Sequence, residues 1–295
     1  MKRVALLAAG LLVLLGARPA EAAKLSVVAS FSVLGDMVKQ VAGDRAEVRT
    51  LVGPDGDAHT FEPTPTDAKT LAHADLVIVN GLGLEKWMAR LTAAAGYRGP
   101  VAAASEGVKP RSMSEEGATV MDPHAWQDLA NGDIYVRNIA RALAAADAAD
   151  AAYFQSRTDQ YLAALAALDG WVRQEIAKVP SAKRRVITTH DAFGYFGAAY
   201  GVAFLAPEGL STEAEPSAGD LAKLIDQVKR EKIRALFLEN ITSPQLMSTI
   251  SREAGAPLGG DLFSDALSPA YGPAPTYIGM FRNNVPKLVE GMSKN

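Results

Sequence analysis

ADAAYFQSRTDQYLAALAALDGWVRQEIAK, residues 149–178, is the stretch whose reading decides the fold of this 295-residue chain. Phe154, Tyr161, Leu165, Leu168, Val172 and Ile176, with Val179 just beyond, recur at steps of seven, four, three, four, four and three. That spacing is one face of a 3.6-residue helix, and no alternating strand reproduces it. Alanine filling favours the helix and Pro180 marks its end, while Gly170 inside it costs about 1 kcal/mol relative to Ala. At ~1.5 Å per residue the helix spans ~45 Å, more than one small lobe requires. An ordinary core helix would carry the same stripe, but this one lies mid-chain between two similar halves. The expectation is a rigid strut joining two lobes.

On its N-terminal side, KLSVVAS reads as a strand, VLGDMVKQVAG as a helix ended by Gly43, and AEVRTLVG as a second strand. After the loop GPDGDAHTFEPTPTD come a helix at TDAKTLAHA, the strand DLVIVNG, a helix closed by Gly96, and VAAAS. A polar loop and TVMDPHAWQD then lead into a helix expected to start near Asn131. Beyond the strut the pattern returns. RRVITTHDAFGYFGAAYG lies on LSVVASFSVLGDMVKQVAG with Gly194 over Gly35 and His190 opposite Phe31. Glu215-Pro216 likewise falls on Glu62-Pro63, and Asn240 on Asn80. An internal pseudo-repeat of β-α units predicts an α/β fold of two lobes with mostly parallel sheets, which take ligands at the carboxyl ends of their strands.

Lys2 and Arg3 followed by an apolar run to Gly16 and the small-residue site Ala20-Glu21-Ala22 predict an export signal over residues 1–22. The run is too short to span a membrane, which takes ~20 apolar residues, and Arg18-Pro19 interrupts it. The expected organisation is then a lobe at 23–148, the linking helix at 149–178 and a lobe at 179–295. A net charge of -3 and a pI near 5.9 give no basic surface for nucleic acid. Zero cysteines exclude disulfides, thiolate metal sites and cysteine catalysis, and leave no thiol for a lipid anchor. The mature chain is expected to be a periplasmic monomer.

The sequence has four histidines, His59, His73, His124 and His190. None belongs to a compact zinc-finger or HExxH spacing, so any shared site must be assembled by the fold. His59 precedes Phe61-Glu62-Pro63-Thr64-Pro65, His124 follows Asp122-Pro123, and His190 ends a strand. Prolines fix the loop backbone beside these side chains, as a ligand site needs, while each histidine taken alone also reads as structural. His73 sits on a helical stretch and reads as structural. Asp265, in a loop after the last expected strand, reads as either a donor or a turn residue. Three imidazoles and one carboxylate would suit Zn²⁺, with Mn²⁺ or Fe²⁺ as alternatives.

DAHTFEPTPTD, VMDPHAWQD, TTHDAFGYF and DLFSDAL, with the long helix between the second and third, resemble the solute-binding proteins of bacterial zinc and manganese ABC importers. The resemblance covers residues 24–295. It implies one metal ligand per motif, at His59, His124, His190 and Asp265, in the cleft between two α/β lobes joined by one helix. It also implies delivery of zinc to an integral membrane permease with a cytoplasmic ATPase. Some members carry glutamate at the third position, an arrangement associated with manganese; here it is His190. Many zinc members have a histidine-rich loop between the first two ligands, where this chain has the short acidic EGVKPRSMSEEG.

Two other classes use the same residues differently. A secreted zinc hydrolase would need an open water position and a base such as Glu62 or Asp122, whereas four protein donors close the site. A siderophore- or haem-chelate binder would share the long helix but make the histidines incidental. No GxSxG, Walker or GxGxxG pattern is present, and the expectation is a binding protein, not an enzyme. With imidazoles near their ordinary pKa of about 6.5, metal affinity is expected to fall between roughly pH 7 and 5.

Overall fold

The computed structural model describes residues 24–115, 118–207, 212 and 217–295. The export signal at 1–22 and the Glu215-Pro216 half of the repeat lie outside those residues. The first half of the chain runs β1 (Leu25–Phe31), α1 (Ser32–Ala42), β2 (Ala46–Val52), α2 (Pro65–Ala72), β3 (Leu76–Val79), α3 (Met88–Ala95) and β4 (Val101–Ala103). These strands form a parallel sheet in the order β2-β1-β3-β4. Gly43 and Gly96 end α1 and α3 because each takes a positive φ, +56° and +62°, that other residues resist. The start of α2 is set by a reciprocal cap between Thr64 and Asp67 with Pro65 in its first turn.

An antiparallel hairpin follows, β5 (Ser112–Glu115) and β6 (Ala118–Met121), which the sequence reading treated as loop. A single 3-10 turn at Ala125–Gln127 then leads to α4 (Leu129–Ala146), begun by the Asp128 side chain accepting from Ala130 N–H at 2.9 Å. That start lies two residues before the expected Asn131. The strut is α5 (Ala151–Ala177), unbroken through Gly170.

Beyond it come β7 (Arg185–Ile187), α6 (Gly194–Tyr200), β8 (Ala203–Leu205), α7 (Ala218–Glu231), β9 (Leu236–Glu239), α8 (Pro244–Ala254), β10 (Leu258–Leu262) and α9 (Tyr277–Ser293). The second sheet, also parallel, has the order β10-β9-β7-β8. Counted within each half from the matching edge, both sheets run second, first, third, fourth. The sequence repeat is therefore a repeat of topology. Asn80 follows β3 and Asn240 follows β9, the third strand of each half.

Phe154, Tyr161, Leu165, Leu168, Val172, Ile176 and Val179 are all buried, as the periodicity requires. Thr158 joins them, its hydroxyl donating to the Phe154 carbonyl at 2.8 Å. Through this ridge α5 packs against α1 and α4 of the first half and against α9 and α6 of the second. Exposing any one large apolar side chain of the ridge would cost about 1.5–3 kcal/mol, so bending the strut is expensive.

Gly170 marks the strut's weakest point, and a Cβ built there would meet nothing within 4 Å. Gly170→Ala is therefore expected to stabilise the protein by about 0.5–1 kcal/mol in equilibrium denaturation. A loss of stability would mean that the helix departs from regular geometry at this residue.

Candidate metal centre

Each of the four candidate residues follows a strand. His59 lies in the loop after β2, His124 three residues past β6, His190 just past β7, and Asp265 three residues past β10. Two of the loops are held the same way. The Asp57 carboxylate accepts the His59 backbone N–H at 2.8 Å, and Asp122 accepts that of His124 at 3.0 Å, an Asp-x-His turn in both cases. His190 is fixed from β9. Glu239 Oε1 accepts the backbone N–H groups of both Thr189 and His190 at 2.9 Å.

These loops bring four donor atoms to one point. His59 Nε2 lies 3.2 Å from His124 Nε2 and 3.1 Å from Asp265 Oδ2, while His190 Nε2 and His124 Nε2 lie 3.1 and 3.5 Å from the same oxygen. All four lie within 4.8 Å of one another, and all four residues are buried. Tetrahedral donors about 2.0–2.1 Å from a common ion stand about 3.3–3.4 Å apart, which the four quoted separations straddle. Among the described residues the second oxygen of Asp265 is buried without a hydrogen-bond partner, so the carboxylate has a further lone-pair donor to offer.

The outer nitrogens of two of the rings face carboxylates. His124 Nδ1 is 2.9 Å from Asp122 Oδ1, and His190 Nδ1 is 2.8 Å from Glu239 Oε2. A neutral imidazole that places its Nδ1 proton on such a carboxylate leaves Nε2 as a lone pair directed at the centre. Trp126 is fully buried, with its ring between Phe31 and His124 at centroid distances of 4.9 and 5.3 Å. Phe31 thus occupies, in the first lobe, the place that His190 takes in the second. The loop carrying His59 is pinned by Trp87, whose indole N–H donates to the Ala58 carbonyl at 2.9 Å.

His73 stands apart, exposed at the end of α2 with its ring nitrogen 2.8 Å from the Lys69 carbonyl. Of the two bases weighed for a hydrolase, Glu62 is exposed and Asp122 is committed to His124. Sequence reasoning missed Asp57, Gln127 and Glu239. The first could have been found, because Asp57-Ala58-His59 and Asp122-Pro123-His124 share a pattern; Glu239 is 49 residues from His190 and leaves no local trace.

The electrostatics are those of a site that holds protons when it holds nothing else. Burial works against the charged form of His124, but Asp265 and then Asp122 outweigh it and lift its pKa to about 9. His190 is likewise raised well above the usual range, with burial opposed and overcome by Glu239 and Asp265. Burial would raise Asp265, yet His124 and His190 pull it well below the carboxylate norm. The expectation of ordinary imidazole titration is therefore corrected, because the neighbouring carboxylates shift these groups upward.

The chain matches the family model described as zinc-uptake complex component A, periplasmic (ZnuA), over residues 27–291. It is 32% identical over 270 residues to the manganese-binding lipoprotein MntA of Halalkalibacterium halodurans, covering 92% of this chain and 89% of that protein. The iron ABC transporter substrate-binding lipoprotein MtsA of Streptococcus pyogenes serotype M1 is 32% identical over 288 residues, at 95% and 92% coverage. Among solved structures, the periplasmic zinc binding protein TroA from Treponema pallidum superposes with a TM-score of 0.87 at 31% identity, covering 92% of this chain and 100% of that one. The manganese-bound periplasmic metal binding protein from candidatus liberibacter asiaticus gives 0.82 at 31% identity, over 91% and 100%.

A metal ion binds only neutral imidazole, so it must displace the protons that the carboxylates favour. With His124 raised to about 9, metal affinity is expected to climb with pH up to about 9 and then level, and binding at pH 7.5 to release protons. In the metal-free protein the sign is opposite. The stability that protonated His124 contributes is present in full below about 6.5 and lost as pH rises through about 9. Calorimetry in two buffers of different ionisation enthalpy measures the protons released. Their absence at pH 7.5, with flat affinity from pH 6 to 9, would contradict this electrostatic picture.

Proposed function

This chain belongs to the periplasmic zinc-uptake component family, and on that premise we propose that it captures a divalent transition metal, zinc first, as the substrate-binding component of an ABC importer. It delivers the ion to an integral membrane permease coupled to a cytoplasmic ATPase. The observation that supports the reading most is the convergence of His59, His124 and His190 Nε2 with Asp265 Oδ2 in a buried cluster. In this reading those four residues are the ligands. A closed set of four donors leaves no position for an attacking water, which fits capture and delivery, not hydrolysis.

A nitrogen-rich donor set with one carboxylate suits Zn²⁺. Manganese or ferrous iron is the second reading. It is favoured by the buried, unpartnered Asp265 Oδ1, which can add a fifth donor, and by relatives named for manganese and iron. Those relatives are also named lipoproteins, whereas this sequence has no cysteine to carry a lipid. We read it as a periplasmic carrier, a monomer with lobes at 23–148 and 179–295 about the helix 149–178.

Elemental analysis of protein purified without added metal, followed by anaerobic competition among Zn²⁺, Mn²⁺ and Fe²⁺, tests the cargo. Zinc is expected to win. Alanine at His59, His124, His190 or Asp265 is expected to weaken binding by at least about a hundredfold, since even outer-shell losses reach that range. His73→Ala should leave affinity unchanged, and an equal loss there would overturn the ligand assignment.

A further inference from the structure

Asp265 follows the last strand of the second lobe, yet its loop is bonded mainly to the first. The Ser264 carbonyl accepts two side-chain donors from consecutive residues of the 3-10 turn after His124, Trp126 Nε1 at 2.9 Å and Gln127 Nε2 at 2.8 Å. All three residues are fully or almost fully buried. Two residues past Asp265, the Leu267 backbone N–H donates to Ser32 Oγ at 2.9 Å, and its carbonyl accepts from Asp55 N–H at 3.0 Å. The attachment continues to the start of α9, where Tyr277 N–H donates to Asp36 Oδ2 at 2.8 Å and its hydroxyl to the Trp126 carbonyl.

The closest ties to the second lobe come before the carboxylate. Phe263 is clamped by Asn284, which accepts its N–H at 3.0 Å and donates to its carbonyl at 2.7 Å. Past Phe263, Asn240 reaches the Ala266 carbonyl at 3.3 Å, but the same amide donates more closely, at 2.8 Å, to Asp55 of the first lobe. His190 has the opposite allegiance. Among the described residues its hydrogen bonds outside the metal centre run to Glu239, Thr188 and Ala192, all of its own lobe.

We propose that Trp126 and Gln127 are positioning residues for metal capture. By holding the Ser264 carbonyl they keep Asp265 in register with His59 and His124. The break between the two bonding sets falls at the Phe263–Ser264 peptide. When the lobes tilt, Asp265 travels with the first lobe, and His190 is the donor that parts from the other three. Release then begins at His190, from a site that keeps three donors on one rigid body. The inference rests on the four-donor reading above and adds to it an order in which the donors let go.

Co²⁺ serves as the probe, because its visible bands report coordination number and its loss to excess chelator gives a release rate. Trp126→Phe keeps the ring and Gln127→Leu keeps the volume, each removing one donor to Ser264. The double variant is expected to release Co²⁺ about tenfold faster, the effect of about one buried hydrogen bond's worth of positioning, and to show weakened tetrahedral bands; each single variant should lie between. A merely structural role would lower the melting temperature while leaving spectrum and release rate as in the parent protein, and that result overturns the proposal. If the double variant does not fold, Gln127→Leu alone decides by the same two readouts, with a release rate about threefold faster expected. A crystal structure of the metal-free parent protein gives the second arm. Aligned on the first lobe, Asp265 should stay with His59 and His124 while His190 shifts; Asp265 moving with His190 would overturn the inference. Should the parent protein fail to bind Co²⁺ at all, the four-donor reading falls, a result distinct from normal binding in every variant.

Discussion

A carboxylate fully withdrawn from water costs several kcal/mol unless opposite charge and hydrogen bonds compensate it. Asp265 is in that position, buried among three imidazole rings, and the rest of the structure can be understood as the means of keeping it compensated. Without metal, protons on His124 and His190 supply the positive charge, and their raised pKa values express it. On the proposed ligand assignment, a bound ion supplies that charge in place of the protons. The carboxylates of Asp122 and Glu239 lie against the outer nitrogens of His124 and His190, at 2.9 and 2.8 Å. On that assignment, cargo binding is an exchange of one compensating charge for another.

The cluster is built by a repeated architecture. Two parallel sheets of identical strand order present their carboxyl ends to each other, and the loops that leave those ends carry the donors. Divergence at one loop tip gives the halves different tasks. The first places Phe31 against Trp126 as packing, and the second places His190 as a donor. The helix α5 holds the halves at a set separation through a buried ridge shared by helices of both. A stiff connection of this kind favours small tilts and loop shifts over wide closure, because large rotation would unpack the ridge.

Much of this was legible in the sequence, for reasons tied to particular residues. The ridge from Phe154 to Val179 is local and periodic, so helix and buried face could be read together. Gly43, Gly96 and Thr64-Pro65 are punctuation whose physics acts within a few residues. The three loop histidines stood out because histidine is scarce here, whereas Asp265 read equally as a turn residue and the set of four came from the resemblance to the solute-binding family. The β5–β6 hairpin was missed because SMSE and ATVM offer only short runs with weak alternation. Glu239, Gln127 and the double donation to Ser264 were missed because they join residues 49 to 138 positions apart, and a single sequence carries no record of such pairings. The upward shift of His124 and His190 was invisible for the same reason, since it depends on which carboxylates the fold brings beside them.

The central claim is that His59, His124, His190 and Asp265 together bind one metal ion. X-ray absorption fine structure of the zinc-loaded protein in solution tests it most directly. The account predicts a shell of nitrogen and oxygen donors at about 2.0–2.2 Å, with the outer-shell scattering of three imidazole rings and no sulfur. A shell of six oxygens without imidazole scattering, as a hydrated ion on the protein surface would give, would contradict it.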